Sequence, residues 1–237
     1  MRLQRPLQHL AIASAVVVIA LLGFTSAARA ATPRIPQVPF CYGSLQGYLN
    51  GIGETIDVAN DQVDAQVWKT TISGNATFTV MIEYAGYAQQ NAIGVYNGDD
   101  ATPTLYQVFP GAATAGWWAT LSFSGTTLTV SLFDNSNVYQ GNTSYTGVDK
   151  KKFGFYLQGP GGTFYSQDYR NPGTKAQILT YAGTGDNSGS WWQCFEDLPY
   201  QYPNCLTDFE DAVLFVESVN PTPALVQTWG GLKAIYR

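Results

Sequence analysis

The chain has 237 residues, of which 45% are hydrophobic, 14% aromatic and only 12% charged, and its net charge at pH 7 is −5. Its one histidine, His9, lies in the first thirty residues, so a chain that loses them has no histidine for Ser-His or Cys-His catalysis or for zinc binding. The acidic excess excludes nucleic acid as a favoured partner.

Residues 1–30 have the three parts of a secretory signal peptide. Two arginines give a basic start, residues 10–24 are apolar and uncharged, and Ala28-Arg29-Ala30 is a small-residue cleavage site. The apolar run is shorter than the ~20 residues that span a bilayer, which disfavours the alternative of a membrane anchor. We therefore expect export from a bacterial-type cell to the surface or the medium. The mature chain would keep nine basic and 17 acidic residues, a net charge of −8, and no membrane span.

The mature chain predicts a linker, a small helix and then strands. Residues 31–40 contain three prolines and predict an extended linker. Residues 41–53 predict a short helix or turn, because three apolar residues share one helical face and two glycines follow. After them, apolar and polar residues alternate with the period of two that is typical of strands. The predicted strands are 66–72, 76–84, 92–96, 104–109, 116–123, 127–133, 153–158, 177–182 and the largely apolar, central 211–217.

About ten short strands with turns every ~8–12 residues favour an all-β domain, a β-sandwich of jelly-roll-like type. We place this domain at residues 41–219, followed by a C-terminal tail at 220–237 that opens with two prolines.

Three cysteines remain in the mature chain. Cys194 and Cys205 enclose a ten-residue loop, and exported proteins favour disulfides, so we predict that these two are paired. Cys41 is then the odd residue. It is either a free buried thiol or the partner of one of the other two.

Carboxylates are densest in the same region. Five of them crowd into sixteen residues, and clustered carboxylates repel one another unless a cation or a proton lies between them. A hard cation such as calcium takes six to eight oxygen ligands, which carboxylates and loop carbonyls supply. The alternative is that these side chains are solvated or brace the loop. The candidate metal ligands are Glu196, Asp197, Asp208, Glu210 and Asp211.

The order of several motifs resembles the bacterial domain-of-unknown-function family 4114. The resemblance is clearest over residues 153–217 and implies a β-rich extracellular module without an established enzyme activity. It carries the family's Glu-Asp-Leu pattern onto residues 196–198, but Leu206 stands where the family usually has an acid. The motifs are Gly154-Phe155-Tyr156-Leu157, Thr163-Phe164-Tyr165-Ser166, Asn171-Pro172-Gly173, Trp192, Phe195-Glu196-Asp197-Leu198 and Asp208-Phe209-Glu210-Asp211.

These observations favour a non-catalytic, calcium-stabilised surface module for adhesion or matrix scaffolding, with a surface polysaccharide or another surface protein as its partner. One alternative is a carbohydrate-binding module, in which exposed aromatic rings contact sugars. Adjacent tryptophans in a strand face opposite ways, so one of each pair is expected in the core. A second alternative is a glycosidase that uses two of the carboxylates, Glu196 with Glu210 or Asp208. The candidate sugar-binding residues are Trp117, Trp118, Trp191 and Trp192.

Overall fold

The computed structural model describes residues 31–204 and 206–222, and within them the chain forms one α-helix, Leu45–Gly51 (α1), and thirteen β-strands. The strands make two antiparallel sheets that pack face to face as a β-sandwich, which confirms the predicted fold class. The predicted signal peptide, Cys205 and most of the predicted tail lie outside the described residues.

The first sheet has six strands in the order β13-β1-β8-β3-β4, and β9 pairs with the remaining part of the β8 edge. Its edge strand β13 contains Pro221. Proline has no backbone N–H to donate, and an edge strand tolerates this because one of its sides has no neighbouring strand. The strands of this sheet are β1 (Val67–Thr70), β3 (Ala92–Asn97), β4 (Leu105–Phe109), β8 (Phe153–Gly159), β9 (Gly162–Tyr165) and β13 (Val219–Thr222).

The second sheet has seven strands in the order β10-β11-β12-β2-β5-β6-β7. The apolar strand predicted at 211–217 is β12, and it lies inside this sheet as expected. The strands of this sheet are β2 (Asn75–Glu83), β5 (Trp118–Ser124), β6 (Thr127–Phe133), β7 (Tyr139–Tyr145), β10 (Ile178–Ala182), β11 (Trp191–Phe195) and β12 (Ala212–Glu217).

The main core lies between the two sheets and is rich in large aromatic rings. Trp68 of the first sheet contacts Trp191 of the second edge-on, with ring centroids 5.3 Å apart, and Phe78 meets Phe155 at the same distance. Edge-to-face contacts of this kind add to the free energy that burial of the rings already provides. These contacts identify the side of β1, β2, β8 and β11 that faces the core.

A second core covers half of the outer face of the seven-stranded sheet. Residues 31–66, which precede the first strand and include α1, pack Phe40, Leu45 and Leu49 onto the outer sides of β10, β11 and β12. The segment that we predicted to be a linker therefore takes part in packing, and Arg34 within it forms an ion pair with Asp168 at 2.6 Å. Because β11 is buried on both faces, it lacks the alternation that reveals a strand.

The cysteine prediction is wrong for Cys194. This residue is a free thiol, fully buried near the end of β11 on the side of the second core, and so it does not pair with Cys205. Burial raises the pKa of the Cys194 thiol far above its usual value. Cys41 is disulfide-bonded, so the alternative that it is a free buried thiol is excluded.

The predicted boundaries differ from the structure at two further places. Strand β13 runs to Thr222, so three residues assigned to the tail belong to the sandwich. Strands β7 and β9 were not predicted, because β7 is a polar edge strand and β9 is only four residues long. No helix among the described residues is long and apolar enough to cross a bilayer.

Candidate cation site

Three carboxylates converge where β11 ends and β12 begins. Each of Glu196, Asp197 and Asp211 offers an oxygen that lies within 4.8 Å of those of the other two. Glu196 is 1% exposed and Asp197 is 2% exposed, whereas Asp211 is only half-buried, so the cluster is largely but not fully covered by protein. We call these three residues the acidic cluster.

The pairing of β11 with β12 brings the cluster together. These strands are antiparallel neighbours, with Phe195 opposite Ala212, so the residue after the first strand meets the residue before the second. A hydrogen bond from backbone to side chain closes the loop between them: the N–H of Asp197 donates to Oδ2 of Asp211 at 2.7 Å. The acids are therefore held together by the sheet register, without any need for a disulfide at Cys194.

Phe209 determines which acids of the second motif reach the cluster. Its ring is fully buried in the second core, 5.3 Å from the ring of Phe40, and its backbone adopts a positive φ of 57°. The expected strand alternation over residues 208–211 therefore does not occur, since this backbone conformation turns the chain. Asp211 then joins the cluster, while Glu210 turns towards α1.

Glu210 and Asp208 are placed differently from the cluster residues. Oε2 of Glu210 accepts hydrogen bonds from the backbone N–H and the hydroxyl of Ser44, at 2.7 and 2.8 Å, just before α1 begins. The backbone N–H of Asp208 donates to Oε2 of Glu196 at 3.1 Å. Of the five predicted ligands, three converge, Asp208 lies beside them, and Glu210 is engaged elsewhere.

The cluster carries more negative charge than its surroundings stabilise. Burial raises the pKa of Glu196 to about 9, and the nearby charge of Asp211 adds to the rise. Burial likewise raises the pKa of Asp211 to about 7 and raises that of Asp208. Among the described residues, the ion pairs join Arg34 to Asp168 and Lys152 to Asp99, so no described Lys or Arg forms an ion pair with the cluster.

Asn91, at the start of the first-sheet strand β3, borders the cluster and was missed from the sequence. It is 3% exposed, and its Nδ2 donates to Oδ2 of Asp197 at 2.9 Å. Its Oδ1 is buried and receives no hydrogen bond from the part of the chain that the structure describes. A lone Asn some hundred residues before its partner gives no local signal, because only the packing of the two sheets brings them together.

A glycine-rich turn closes the same site from the first sheet. Gly159, the last residue of β8, and Gly161, in the turn to β9, approach it closely: an added Cβ would collide with Oδ1 of Asn91 at the first position and with the carbonyl oxygen of Asp197 at the second. Glycine is required at these two positions because the turn lies directly against the cluster. The sequence Gly-Pro-Gly-Gly signals a turn, but not the close contact that it makes.

The four candidate tryptophans lie in different environments. Trp191 is in the core between the sheets and Trp192 is in the second core, and they are only 6% and 1% exposed, so neither offers a surface to a ligand. The expectation that one of each pair is core fails here, because β11 is covered on both sides. Trp117 packs half-buried against the main core, while Trp118 is half-buried on the opposite side of the sheet.

Comparisons with known proteins add little to this geometry. The chain matches no protein-family model and no curated protein. Among solved structures, an alginate lyase from Pseudomonas aeruginosa aligns with 68% of this chain and 59% of its own, at 10% identity and a TM-score of 0.15. The chain thus spans 59% of the length of that enzyme. The resemblance to family 4114 stays a prediction.

Proposed function

We propose that this protein is an exported, non-catalytic β-sandwich module of the cell surface or extracellular matrix, stabilised by a calcium ion in the acidic cluster. The observation that carries the proposal is the convergence of Glu196, Asp197 and Asp211 in a largely buried site where no described basic side chain forms an ion pair with them. Surface localisation is supported by the sequence of residues 1–30 alone.

A cation resolves the electrostatic problem that the geometry creates. Carboxylates removed from water lose hydration, and each also repels the others, so they need a proton or a metal ion between them. Calcium accepts six to eight oxygen ligands in irregular geometry, which suits a site built from unequal loops. Asn91 borders the carboxylates through the bond from its Nδ2 to Asp197, and its Oδ1, beside Gly159, has no donor among the described residues.

The glycosidase alternative is less well supported by the same geometry. A glycosidase needs two carboxylates on either side of an open cleft that admits a sugar chain. Glu196 is 1% exposed, and Glu210 is bonded to Ser44. For this reason we favour a structural over a catalytic role for these acids.

Thermal unfolding with and without calcium tests the proposal. Calcium at about 100 times its dissociation constant would stabilise the fold by about 2.7 kcal/mol, or roughly 5–10 °C in melting temperature for a domain of this size. We expect Asp211→Asn to remove most of this shift, because the amide retains the bond from the N–H of Asp197 but loses the charge.

Glu210→Gln is the matched control. It removes one carboxylate from the same loop, but the affected side chain is directed to Ser44, so the calcium-dependent shift should persist. If millimolar calcium leaves the melting temperature of the wild-type protein unchanged, the cation is excluded. Equal loss of the shift in both variants would mean that the response is one of general charge and not of this site.

A further inference from the structure

One row of residues that are paired across the strands of the seven-stranded sheet, here called a rung, carries an aromatic residue on nearly every strand. The pairing register aligns Trp192 with Phe215, Phe215 with Thr79, Thr79 with Trp118, Trp118 with Phe133, and Phe133 with Tyr139. The side chains on β11, β12, β2, β5 and β6 point to the outer face, because their neighbours along each strand lie towards the core between the sheets, and Tyr139 is on the same face because its ring contacts Phe133 with centroids 5.6 Å apart. Trp192 is covered by the second core, so the accessible part of the row begins at the half-buried Phe215 and ends at the exposed Tyr139.

The accessible part of the row has a gap at Thr79. Phe215 contacts Trp192 with centroids 4.8 Å apart, and Trp118 stacks on Phe133 at 4.1 Å with an interplanar angle of 7°. Because the Trp118–Phe133 separation is close to the spacing between strands, these rings stand side by side, and the other face of Trp118 is turned towards Thr79. Thr79 thus forms the floor of a notch whose two walls are the aromatic rings of Phe215 and Trp118.

The notch has the width of one ring-shaped ligand. Strands β12 and β5 are two strand spacings apart, about 9.6 Å at about 4.8 Å each. A flat group in van der Waals contact with both walls needs about 3.5–4.0 Å on each side, which this separation provides. The indole is also held in place, since its Nε1 donates to Oδ1 of Asn137 at 2.9 Å.

We propose that this notch binds one sugar ring of a neutral polysaccharide, which continues along the row over Phe133 towards Tyr139. Sugar rings present C–H groups on their faces, which pack on aromatic rings, and hydroxyls at their edges, which need hydrogen-bond partners. The ring of Tyr139 is 54% exposed and extends the row to the edge of the sheet.

The next rung supplies those partners and indicates the charge of the ligand. It consists of Glu217, Thr77, Thr120, Ser131 and Asn142, aligned in that order by the strand pairing. Hydroxyl, amide and carboxylate groups all accept hydrogen bonds from sugar hydroxyls. Neither rung contains Lys or Arg, which recognition of a uronate or sulfate would require, so the face suits a neutral chain and not an anionic one.

Titration calorimetry of the full chain with soluble polysaccharides tests the inference. The probes are laminarin and glucomannan as neutral chains and alginate as an anionic one, each measured with calcium and with chelator. We expect at least one neutral polysaccharide to bind, and Thr79→Trp, which fills the notch without removing a wall, to weaken that binding at least tenfold. Trp118→Ala should weaken it to a similar degree.

Ser122→Trp is the matched control, because it adds the same bulk to the same face four residues along β5 from Trp118, and it should change the affinity less than twofold. Absence of binding to both neutral probes, binding that survives Thr79→Trp, or stronger binding to alginate would each overturn the inference. So would a concentration-dependent dimer that Thr79→Trp dissociates, since the face would then be covered by a second copy. A negative calcium result would leave these outcomes unaffected, because the notch does not include the acidic cluster.

Discussion

Two glutamates are almost equally buried in this protein, and their surroundings are opposite. Glu54 is 3% exposed and accepts four hydrogen bonds, from the backbone and hydroxyl of Thr184, from Asn187 and from Trp192, at 2.6–3.0 Å. Glu196 is 1% exposed, accepts backbone bonds from Asp208 and Phe209, and faces another carboxylate at Asp211.

The difference shows in the direction of the two pKa shifts. Burial alone would raise the pKa of Glu54, but the bonds from Thr184, Asn187 and Trp192 outweigh it and lower the pKa below its usual value. For Glu196, burial and the charge of Asp211 outweigh the two backbone bonds, and the pKa rises to about 9. A buried carboxylate with enough donors is a structural brace, whereas one without them requires a proton or a cation.

The largest expected effect comes from Glu54→Gln. The glutamine amide has one oxygen that accepts hydrogen bonds, whereas the carboxylate has two. Each buried donor left without an acceptor costs about 1–3 kcal/mol. We expect a loss of about 3 kcal/mol in the free energy of unfolding, seen by urea denaturation, because Thr184, Asn187 and Trp192 compete for one oxygen. A loss below 1 kcal/mol would show that Glu54 is not the brace of this region.

The pH dependence of the same variant identifies the charge as the cause. A lowered pKa in the folded state contributes stability that is present above the unfolded value of 4.5 and is lost as the pH falls through the folded pKa. The stability gap between the wild type and Glu54→Gln should therefore narrow below about pH 4. A gap that stays constant down to pH 3 would indicate a packing effect instead.

The same contrast explains how much of the molecule could be predicted from its sequence. Strands such as 127–133, whose inner and outer faces differ, show the alternation directly, and the structure has β6 at those positions. Strand β11 is buried on both faces because residues 31–66 cover its outer side, and that long-range packing leaves no local pattern.

The candidate site follows the same rule. Glu196, Asp197 and Asp211 were predicted together because they are close in sequence and lie on either side of one strand connection. Glu54 and Asn91 were missed because their partners are more than a hundred residues away. Glu210 was assigned wrongly to the cluster, because the positive φ of Phe209 breaks the expected alternation.

Cys194 extends the comparison to a buried ionisable group that needs no partner, since burial keeps its thiol neutral. Cys194→Ser places a hydroxyl group in the second core, where no side chain of the described residues is positioned to bond it. We expect a loss of about 1–3 kcal/mol in the free energy of unfolding. Cys194→Ala, which adds no polar atom, should cost less.

In the native protein, a thiol reagent should modify Cys194 only after unfolding, as followed by mass spectrometry of its peptide. Rapid labelling of the folded protein, or recovery of a Cys194–Cys205 disulfide, would contradict the placement of this thiol.

The smallest expected effect is the most informative one, and it comes from Glu196→Gln in chelator. This is the same chemical change as at Glu54, at a residue of similar burial, but here it replaces a carboxyl group whose pKa in the calcium-free protein is raised to about 9 and which therefore takes up a proton on folding. The amide can still accept the bond from the N–H of Asp208. We therefore expect the melting temperature of the calcium-free variant to stay within roughly 2 °C of the wild type or to rise, because the amide resembles the protonated carboxyl group and avoids the cost of taking up that proton at neutral pH. If Glu196→Gln instead destabilises the calcium-free protein as much as Glu54→Gln does, Glu196 is a brace as well. The acids at the β11–β12 connection would then have no electrostatic need for a cation.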